Sequence, residues 1–183
     1  MMNKDIESVL VSEAQLDEIT TALAERIDEE YANTGRPLVM VCILKGSVMF
    51  YVDLVKKIKR PVEMEFMKVS SYGAGTASTG CINIHLDLKR TDYDKMDVLL
   101  VEDIVDSGRT LSMLVGLLRE RGVHSVRACT MLDKPSRREV DYQPDYRGLE
   151  IPDRFVVGYG LDYNEYYRDL PFVGILKPEV YSK

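Results

Sequence analysis

The feature that most constrains the fold of this chain is a thirteen-residue stretch, residues 98–110, which changes chemical character twice. Its four leading aliphatic residues are too few to span a membrane and are typical of a buried strand in a parallel sheet. Beyond the stretch, apolar residues recur at positions 111, 114, 115 and 118, which is helical spacing. The predicted order is therefore strand, polar loop, helix.

The polar loop of this unit would lie at the carboxyl end of the sheet, where open α/β folds bind ligands. Amides at the start of a helix favour an anion there, and Ser107, Gly108 and Thr110 add two hydroxyls and a close approach of the backbone. Carboxylates do not bind phosphate, so Glu102 and Asp103 need another partner, which ribose hydroxyls or a hard cation would supply. The stretch thus predicts a ligand with both sugar and phosphate.

Two commoner phosphate-binding motifs do not fit this loop. The chain has no G-x-x-x-x-G-K-[ST], and one glycine stands where a dinucleotide fingerprint needs three. An ordinary strand-to-helix turn with an N-cap serine remains an alternative for Asp-Ser-Gly alone, whereas the strand, the acidic pair and the hydroxyls together favour a ligand site. Neither His85 nor His124 has a partner at metal-ligand spacing, and no Ser-His-Asp or Cys-His set is evident.

Two further strands are predicted to end at the same edge of the sheet. Leu38–Leu44 runs into Lys45-Gly46-Ser47 and then a helix, and residues 125–132 lead to Asp133-Lys134. A lysine beside close backbone suits phosphate oxygens, although Lys45 could equally be a solvated loop residue. These units predict an α/β fold with a central, mostly parallel sheet flanked by helices.

The rest of the chain predicts a helix, several strands and one long polar loop. Ser12 and Gln15 have capping-box spacing, and residues 62–68 and 81–86 alternate as a hairpin with one buried face. Residues 136–154 are predicted to be irregular, and residues 155–158 and 172–176 to be short strands. Residues 70–80 are too polar for a core, so they are either a lid or disordered, and the aromatic Tyr72 favours a lid.

The composition of the chain limits its number of domains, its location and its partners. With 183 residues, 45% hydrophobic and 30% charged, residues 1–183 are expected to form one domain. The sequence shows neither a membrane-spanning run nor a signal-peptide pattern, and its three cysteines lack C-x-x-C spacing, so a cytoplasmic protein with reduced thiols is expected. The net charge of −6 favours neither nucleic acid nor anionic membranes as partners.

Residues 98–110 closely resemble the phosphoribosyl-pyrophosphate loop of the type I phosphoribosyltransferases, and the similarity, from about residue 38 to 176, points to the hypoxanthine–guanine branch. The resemblance implies a central sheet with a small hood and a flexible loop. It also implies purine salvage: transfer of the 5-phosphoribosyl group from phosphoribosyl pyrophosphate to hypoxanthine, and to guanine, giving IMP or GMP and pyrophosphate. Mg²⁺ is the implied cofactor, and a homodimer or homotetramer is expected.

The resemblance assigns roles to the residues around the loop. Glu102 and Asp103 match the acidic pair on the ribose hydroxyls and, with Asp162, the residues expected to hold magnesium. Asp106 matches the proposed catalytic base. The residues that match the 5′-phosphate cradle are Ser107, Gly108, Arg109 and Thr110.

Other matches concern pyrophosphate, the purine and the lid. Lys45-Gly46 resembles a segment whose peptide bond can be cis and whose amide meets pyrophosphate, which Arg168 also contacts. The residues that match the purine pocket are Lys134, which reads the 6-oxo group, Phe155, which stacks on the base, and Val156, with Asp162 beside them. Ser71 and Tyr72 match the closing loop. Ser47 and Arg109 replace a glycine and a lysine of some relatives, but each keeps a small residue or a cation.

Three rival functions remain open from the sequence. One is a nucleotide-sensing, RNA-binding regulator on the same fold, against which the net acidity, Lys134 and Phe155 argue. The others are a xanthine- or guanine-preferring transferase and a protein that only binds ribose phosphates. The choice between hypoxanthine and guanine is also left open.

The lid hypothesis can be tested by limited proteolysis. If residues 70–80 order only when ligands bind, protease should cut there in the free protein. Phosphoribosyl pyrophosphate with magnesium and a purine analogue should protect the segment. Equal cleavage with and without these ligands would contradict a lid.

Overall fold

The computed structural model describes residues 4–71 and 82–182. Its helices are Glu13–Tyr31 (α1), Val48–Lys57 (α2), Arg109–Glu120 (α3) and Pro178–Tyr181 (α4), with single 3₁₀ turns at Tyr93–Lys95 and Pro135–Arg137. Its strands are Ile6–Val11 (β1), Leu38–Leu44 (β2), Glu63–Ser71 (β3), Ile82–Leu86 (β4), Asp97–Val105 (β5), Ser125–Asp133 (β6), Tyr146–Glu150 (β7), Val156–Val157 (β8) and Val173–Leu176 (β9).

Within the described residues, the main sheet has six strands in the order β4-β3-β2-β5-β6-β7. The pairs are parallel except for the antiparallel β3–β4 hairpin at one edge. α1 and α2 pack on one face of the sheet and α3 on the other. The central, mostly parallel sheet predicted from the sequence is therefore confirmed.

The sequence of β2 explains why helices cover both faces. Successive strand side chains point to opposite faces, and all seven positions of Leu38–Leu44 are apolar. Val39 and Val41 thus pack with α3, whereas Met40 and Cys42 pack with α1 and α2. The buried residues of α3 are those that its periodicity predicted, namely Leu111, Leu114, Val115 and Leu118.

A second, three-stranded sheet in the order β1-β9-β8 forms a small hood over the main sheet. Its strands are antiparallel, and Val156, Val173 and Ile175 pack into the core shared with α1 and α2. Neither β1 nor β7 was predicted. Both carry charged residues among short apolar groups, so their pairing depends on neighbours that are distant in the sequence.

The β3–β4 hairpin is present, but the buried face of β3 is not the one marked by Met64 and Phe66, which are 48% and 39% exposed. Met67 is the fully buried residue. Parallel pairing with β2 places Met67 opposite Ile43, on the α3 side of the sheet. Within the described residues, each helix is either too short or too polar to cross a membrane.

Candidate active site

The carboxyl ends of β2, β5 and β6 meet beneath the hood, where the described residues line a larger and a smaller cavity. The larger, of about 390 Å³, is lined by Lys134, Phe155 and Val156 among others. The smaller, of about 90 Å³, is lined by Glu102 and by the loop that leads into α3. Asp106 and Ile104 line both cavities. A ligand with two chemically different parts could therefore occupy them together.

The acidic pair lies in the last part of β5, inside the strand rather than after it. Burial raises the pKa of Glu102, and the charge of Asp103 raises it further. Burial also raises the pKa of Asp103 to about 6, although its bond to the amide of Ile104 (2.7 Å) and the charge of Arg168 act in the opposite direction. The free protein thus holds two carboxylates in an environment that favours a counter-charge.

Glycines allow the backbone to come close to this pair. A Cβ atom at Gly46 would lie 1.6 Å from Oδ2 of Asp103. Gly160, whose φ is +99°, lies on the other side, where a Cβ atom would be 1.8 Å from the carbonyl oxygen of Gly46. The peptide bond between Leu44 and Lys45 is cis, one bond earlier than Lys45–Gly46. The loop after β2 is thus packed between Asp103 and the hood.

The loop between β5 and α3 has the form expected for an anion site. Gly108 is the N-cap of α3 with φ +81°, which a residue with a side chain rarely adopts. The first amides of the helix follow it, and the Arg109 amide lies 3.3 Å from the Ser107 hydroxyl oxygen. The Arg109 side chain is exposed and pairs with Glu139 at 2.6 Å. Ser107 and Thr110 line the smaller cavity.

The larger cavity joins a buried ammonium group to aromatic rings. Lys134 is 7% exposed and donates to the carbonyl oxygen of Arg154 at 2.8 Å. Burial lowers the pKa of Lys134, partly offset by Asp106 and Asp153. The ring of Phe155 stacks on Tyr181 of α4, with centroids 4.8 Å apart. The cavity can therefore receive a flat ring that carries a hydrogen-bond acceptor.

The residues expected to bind pyrophosphate are held by a third residue, Glu165. Its Oε2 lies 2.9 Å from Nζ of Lys45 and 3.3 Å from Nη2 of Arg168. Arg168 also donates to the Gly160 carbonyl at 2.7 Å and pairs with Asp162 at 2.8 Å. The structure thus links Lys45 to Arg168 through Glu165, and Arg168 to Asp162.

Comparison with known proteins identifies the family of this site. The model of the phosphoribosyl transferase domain matches residues 5–164. A hypoxanthine-guanine phosphoribosyltransferase of Staphylococcus epidermidis is 50% identical over 182 residues, which cover 100% of both chains. The chain belongs to the phosphoribosyltransferase family.

Solved structures of relatives superpose on this phosphoribosyltransferase over nearly its whole length. A hypoxanthine phosphoribosyltransferase from Staphylococcus aureus superposes with a TM-score of 0.92 at 47% identity, covering 100% of both chains. A Trypanosoma cruzi hypoxanthine phosphoribosyltransferase in complex with the product IMP has a TM-score of 0.92 at 37% identity, covering 99% of this chain and 100% of that one. The predicted family, fold and enzyme class are confirmed.

Several site residues of this phosphoribosyltransferase were not predicted. Glu165 lies in a polar, aromatic stretch that gives no sign of pairing with Lys45, 120 residues away. Nε of Arg137 lies 2.9 Å from Oδ1 of Asp106, and Tyr181 forms part of the larger cavity. Arg137 belongs to the stretch predicted to be irregular. Tyr72 and the rest of the predicted lid up to residue 80 lie outside the described residues, as does the side chain of Ser71.

The side chains near the acidic pair determine whether the site could bind Mg²⁺. Within residues 4–71 and 82–182, no group of three or more His, Cys, Asp or Glu side chains is arranged to hold a metal ion. Oε2 of Glu102 is buried without a hydrogen-bond partner in the described part of the chain. Both carboxylate oxygens of Asp162 are engaged, one by Arg168 and one by the amide of Glu165. Mg²⁺ commonly binds one or two carboxylates and completes its shell with substrate phosphates and water, so the acidic pair fits such an ion.

The raised pKa of Asp103 predicts a dependence of stability on pH. The folded state holds the proton more tightly than the unfolded state, so Asp103 destabilises the fold progressively as pH rises from its ordinary pKa of 3.8 to about 6. Asp103→Asn should therefore gain about 1–2 kcal/mol of unfolding free energy relative to the wild type between about pH 4 and about pH 7, after allowance for partial exposure. Urea unfolding with a chelator present would measure this.

Asp87 supplies a control of opposite sign. Its hydrogen bonds to Arg121 lower its pKa, so its stabilising effect is present above its ordinary pKa and is lost as pH falls. Asp87→Asn should accordingly lose stability relative to the wild type as pH rises. Parallel pH profiles for Asp103→Asn and the wild type would contradict the burial argument.

Proposed function

We propose that this phosphoribosyltransferase transfers the 5-phosphoribosyl group of phosphoribosyl pyrophosphate to hypoxanthine, and to guanine, forming IMP or GMP and releasing pyrophosphate. The observation that carries the proposal is the position of Asp106, which lines both the aromatic cavity and the cavity of the anion-binding loop. A group at that point could contact both a purine and a ribose phosphate. The name of the Staphylococcus epidermidis relative supports the same substrates.

The purine would lie in the larger cavity. Lys134 would donate to the 6-oxo group, Phe155 would stack on the ring, and the backbone of Val156 would contact the edge of the base. Because an ammonium group can only donate hydrogen bonds, Lys134 favours 6-oxo over 6-amino purines. Asp106 would accept the proton that the base loses as its nitrogen attacks the ribose carbon.

The phosphoribosyl group would lie across the end of β5. Ser107, Gly108, Arg109 and Thr110 would hold the 5′-phosphate, and Glu102 and Asp103 the ribose hydroxyls. Their negative charge would stabilise the positive charge that develops on the ribose carbon as pyrophosphate departs.

Pyrophosphate would be bound by Lys45, the amide of Gly46 and Arg168. Since Glu165 already pairs with both cations, we expect the pyrophosphate group to displace its carboxylate. Glu102 and Asp103, with Asp162 nearby, would hold Mg²⁺, which when bound would neutralise charge on the leaving group. Closure of a lid that contains Ser71 and Tyr72 would exclude water from the reacting sugar.

The proposal includes the organisation of the enzyme. Residues 1–183 would form one catalytic domain, since the hood packs into the same core as the main sheet. We propose a homodimer or homotetramer, which sedimentation or light scattering would distinguish. A cytoplasmic location is supported by Cys42 and Cys129, which are buried free thiols.

Steady-state assays with hypoxanthine, guanine, xanthine, adenine and uracil test the proposal. Activity with hypoxanthine and guanine is expected, whereas a preference for xanthine would favour the xanthine-using alternative. Lys134→Ala should lower kcat/KM for hypoxanthine by the equivalent of about 1–3 kcal/mol, the value of one charged hydrogen bond. Lys56→Ala, a change to an exposed lysine on α2, is the control. Unchanged kcat/KM in Lys134→Ala would refute the pocket assignment.

The role of Asp106 is tested by Asp106→Asn, which keeps the size of the side chain but cannot take up a proton at neutral pH. The kcat for nucleotide formation should fall by about 10²–10⁴-fold, while binding of phosphoribosyl pyrophosphate stays within a few-fold. Glu102→Gln with Asp103→Asn should instead weaken that binding.

Asp153→Asn is the matched control for Asp106→Asn, because Asp153 lines the same cavity and also pairs with Arg137. If asparagine at position 106 leaves kcat nearly intact, Asp106 merely caps the loop and is not the base.

A further inference from the structure

Arg138 and Glu139 contact the anion-binding loop, which is the segment between β5 and α3 (residues 106–108). Nη1 of Arg138 donates to the carbonyl oxygen of Asp106 at 2.6 Å, and the amide of Glu139 donates to the carbonyl oxygen of Ser107 at 3.0 Å. Two consecutive carbonyl groups of the loop are therefore satisfied by residues that the reaction described above does not use.

These contacts determine which way the loop amides point. In a trans peptide the C=O and N–H groups point in opposite directions. A carbonyl at position 106 or 107 that faces Arg138 and Glu139 thus turns the amide of Ser107 or Gly108 away from them. Ser107 and Gly108 line the smaller cavity. Arg138 and Glu139 are not among the described residues that line it. The two amides are thereby available to an anion.

Arg138 is itself fixed by a buried carboxylate. Its Nη2 pairs with Oδ1 of Asp133, and the two side chains are 15% and 2% exposed. Asp133 is the last residue of β6 and precedes Lys134. A planar guanidinium group with several donors can bond a carboxylate and a carbonyl at once, so Arg138 links the strand end that carries Lys134 to the loop that carries Asp106.

We propose that Arg138 is a positioning residue that orients the amide of Ser107 toward the 5′-phosphate of the substrate, next to the Gly108 amide that Glu139 orients. The inference rests on the proposed function, because it assumes that the smaller cavity holds this phosphate. Arg138 contacts the loop but is not among the residues that line the smaller cavity, so it acts through the loop and is not a catalytic residue. Substitution of Arg138 should therefore weaken the binding of ligands that carry a 5′-phosphate, but not the binding of pyrophosphate.

The test is calorimetric binding of IMP and of magnesium pyrophosphate to the full chain, with KM for phosphoribosyl pyrophosphate measured alongside. Arg138→Met should weaken IMP binding by roughly 10- to 100-fold, as for one lost hydrogen bond to a charged group, and leave pyrophosphate binding within about twofold. Arg138→Lys should recover part of the loss, because an ammonium group keeps the charge but not the fork of donors.

Arg147→Met is the matched control. Arg147 also pairs with Asp133, at 3.4 Å, and its other ion pair in the described structure is with Glu150 on β7, not with the loop. An equal loss of IMP binding in Arg147→Met, an equal loss for IMP and pyrophosphate in Arg138→Met, or no loss at all would each overturn the inference.

A double variant and the wild type complete the comparison. If Arg138→Met does not fold because Asp133 is left buried without its main partner, Arg138→Met with Asp133→Asn removes that charge and takes its place in every comparison. The wild type separates the two hypotheses: failure of the wild type to bind IMP would refute the proposed function, whereas wild-type binding that the variants share would refute only the role of Arg138.

Discussion

Parallel pairing of β5 with both β2 and β6 is the constraint on which the site depends. It forces three strands to end at one edge, so that the loops after Leu44, Val105 and Asp133 lie side by side. Each loop carries a different chemistry: a lysine beside close backbone, a helix entry with hydroxyls, and a buried lysine. The hood then closes the edge from above with Phe155 and Arg168. Convergence of these groups follows from topology, with no need for them to be near one another in the sequence.

The electrostatic balance of the free site is the second physical feature. Two carboxylates on β5 have raised pKa values, and the nearby cations Lys45 and Arg168 are already paired with Glu165. The binding of an anionic ligand must therefore exchange internal ion pairs for pairs with the ligand. Such an exchange limits the affinity for any single anion, but it keeps the cations in place for a ligand that can engage both.

Local features of the sequence explain what could be predicted. The apolar run of β5, the single glycine at 108 and the periodicity of α3 are each encoded within a few residues, and the structure contains all three elements. The predicted roles of Lys134, Phe155 and Arg168 came from family resemblance, since a lone lysine or phenylalanine carries little information. The pairs Lys45–Glu165 and Asp133–Arg138 could not be predicted, because charged residues in irregular stretches do not reveal their partners. The buried face of β3 was missed because its parallel partner, and not its own alternation, sets it.

The stacking of Phe155 on Tyr181 has a practical consequence for spectroscopy. The chain contains no tryptophan, and these two rings border the cavity in which we place the purine. An indole introduced at either position would be the sole such fluorophore in the protein and would lie beside the bound base. Aromatic rings stack with their centroids about 4.5–7 Å apart, so a bound purine would change the surroundings of such an indole and therefore its emission. Occupancy of the purine pocket could then be followed by intrinsic fluorescence, without a labelled ligand and independently of turnover.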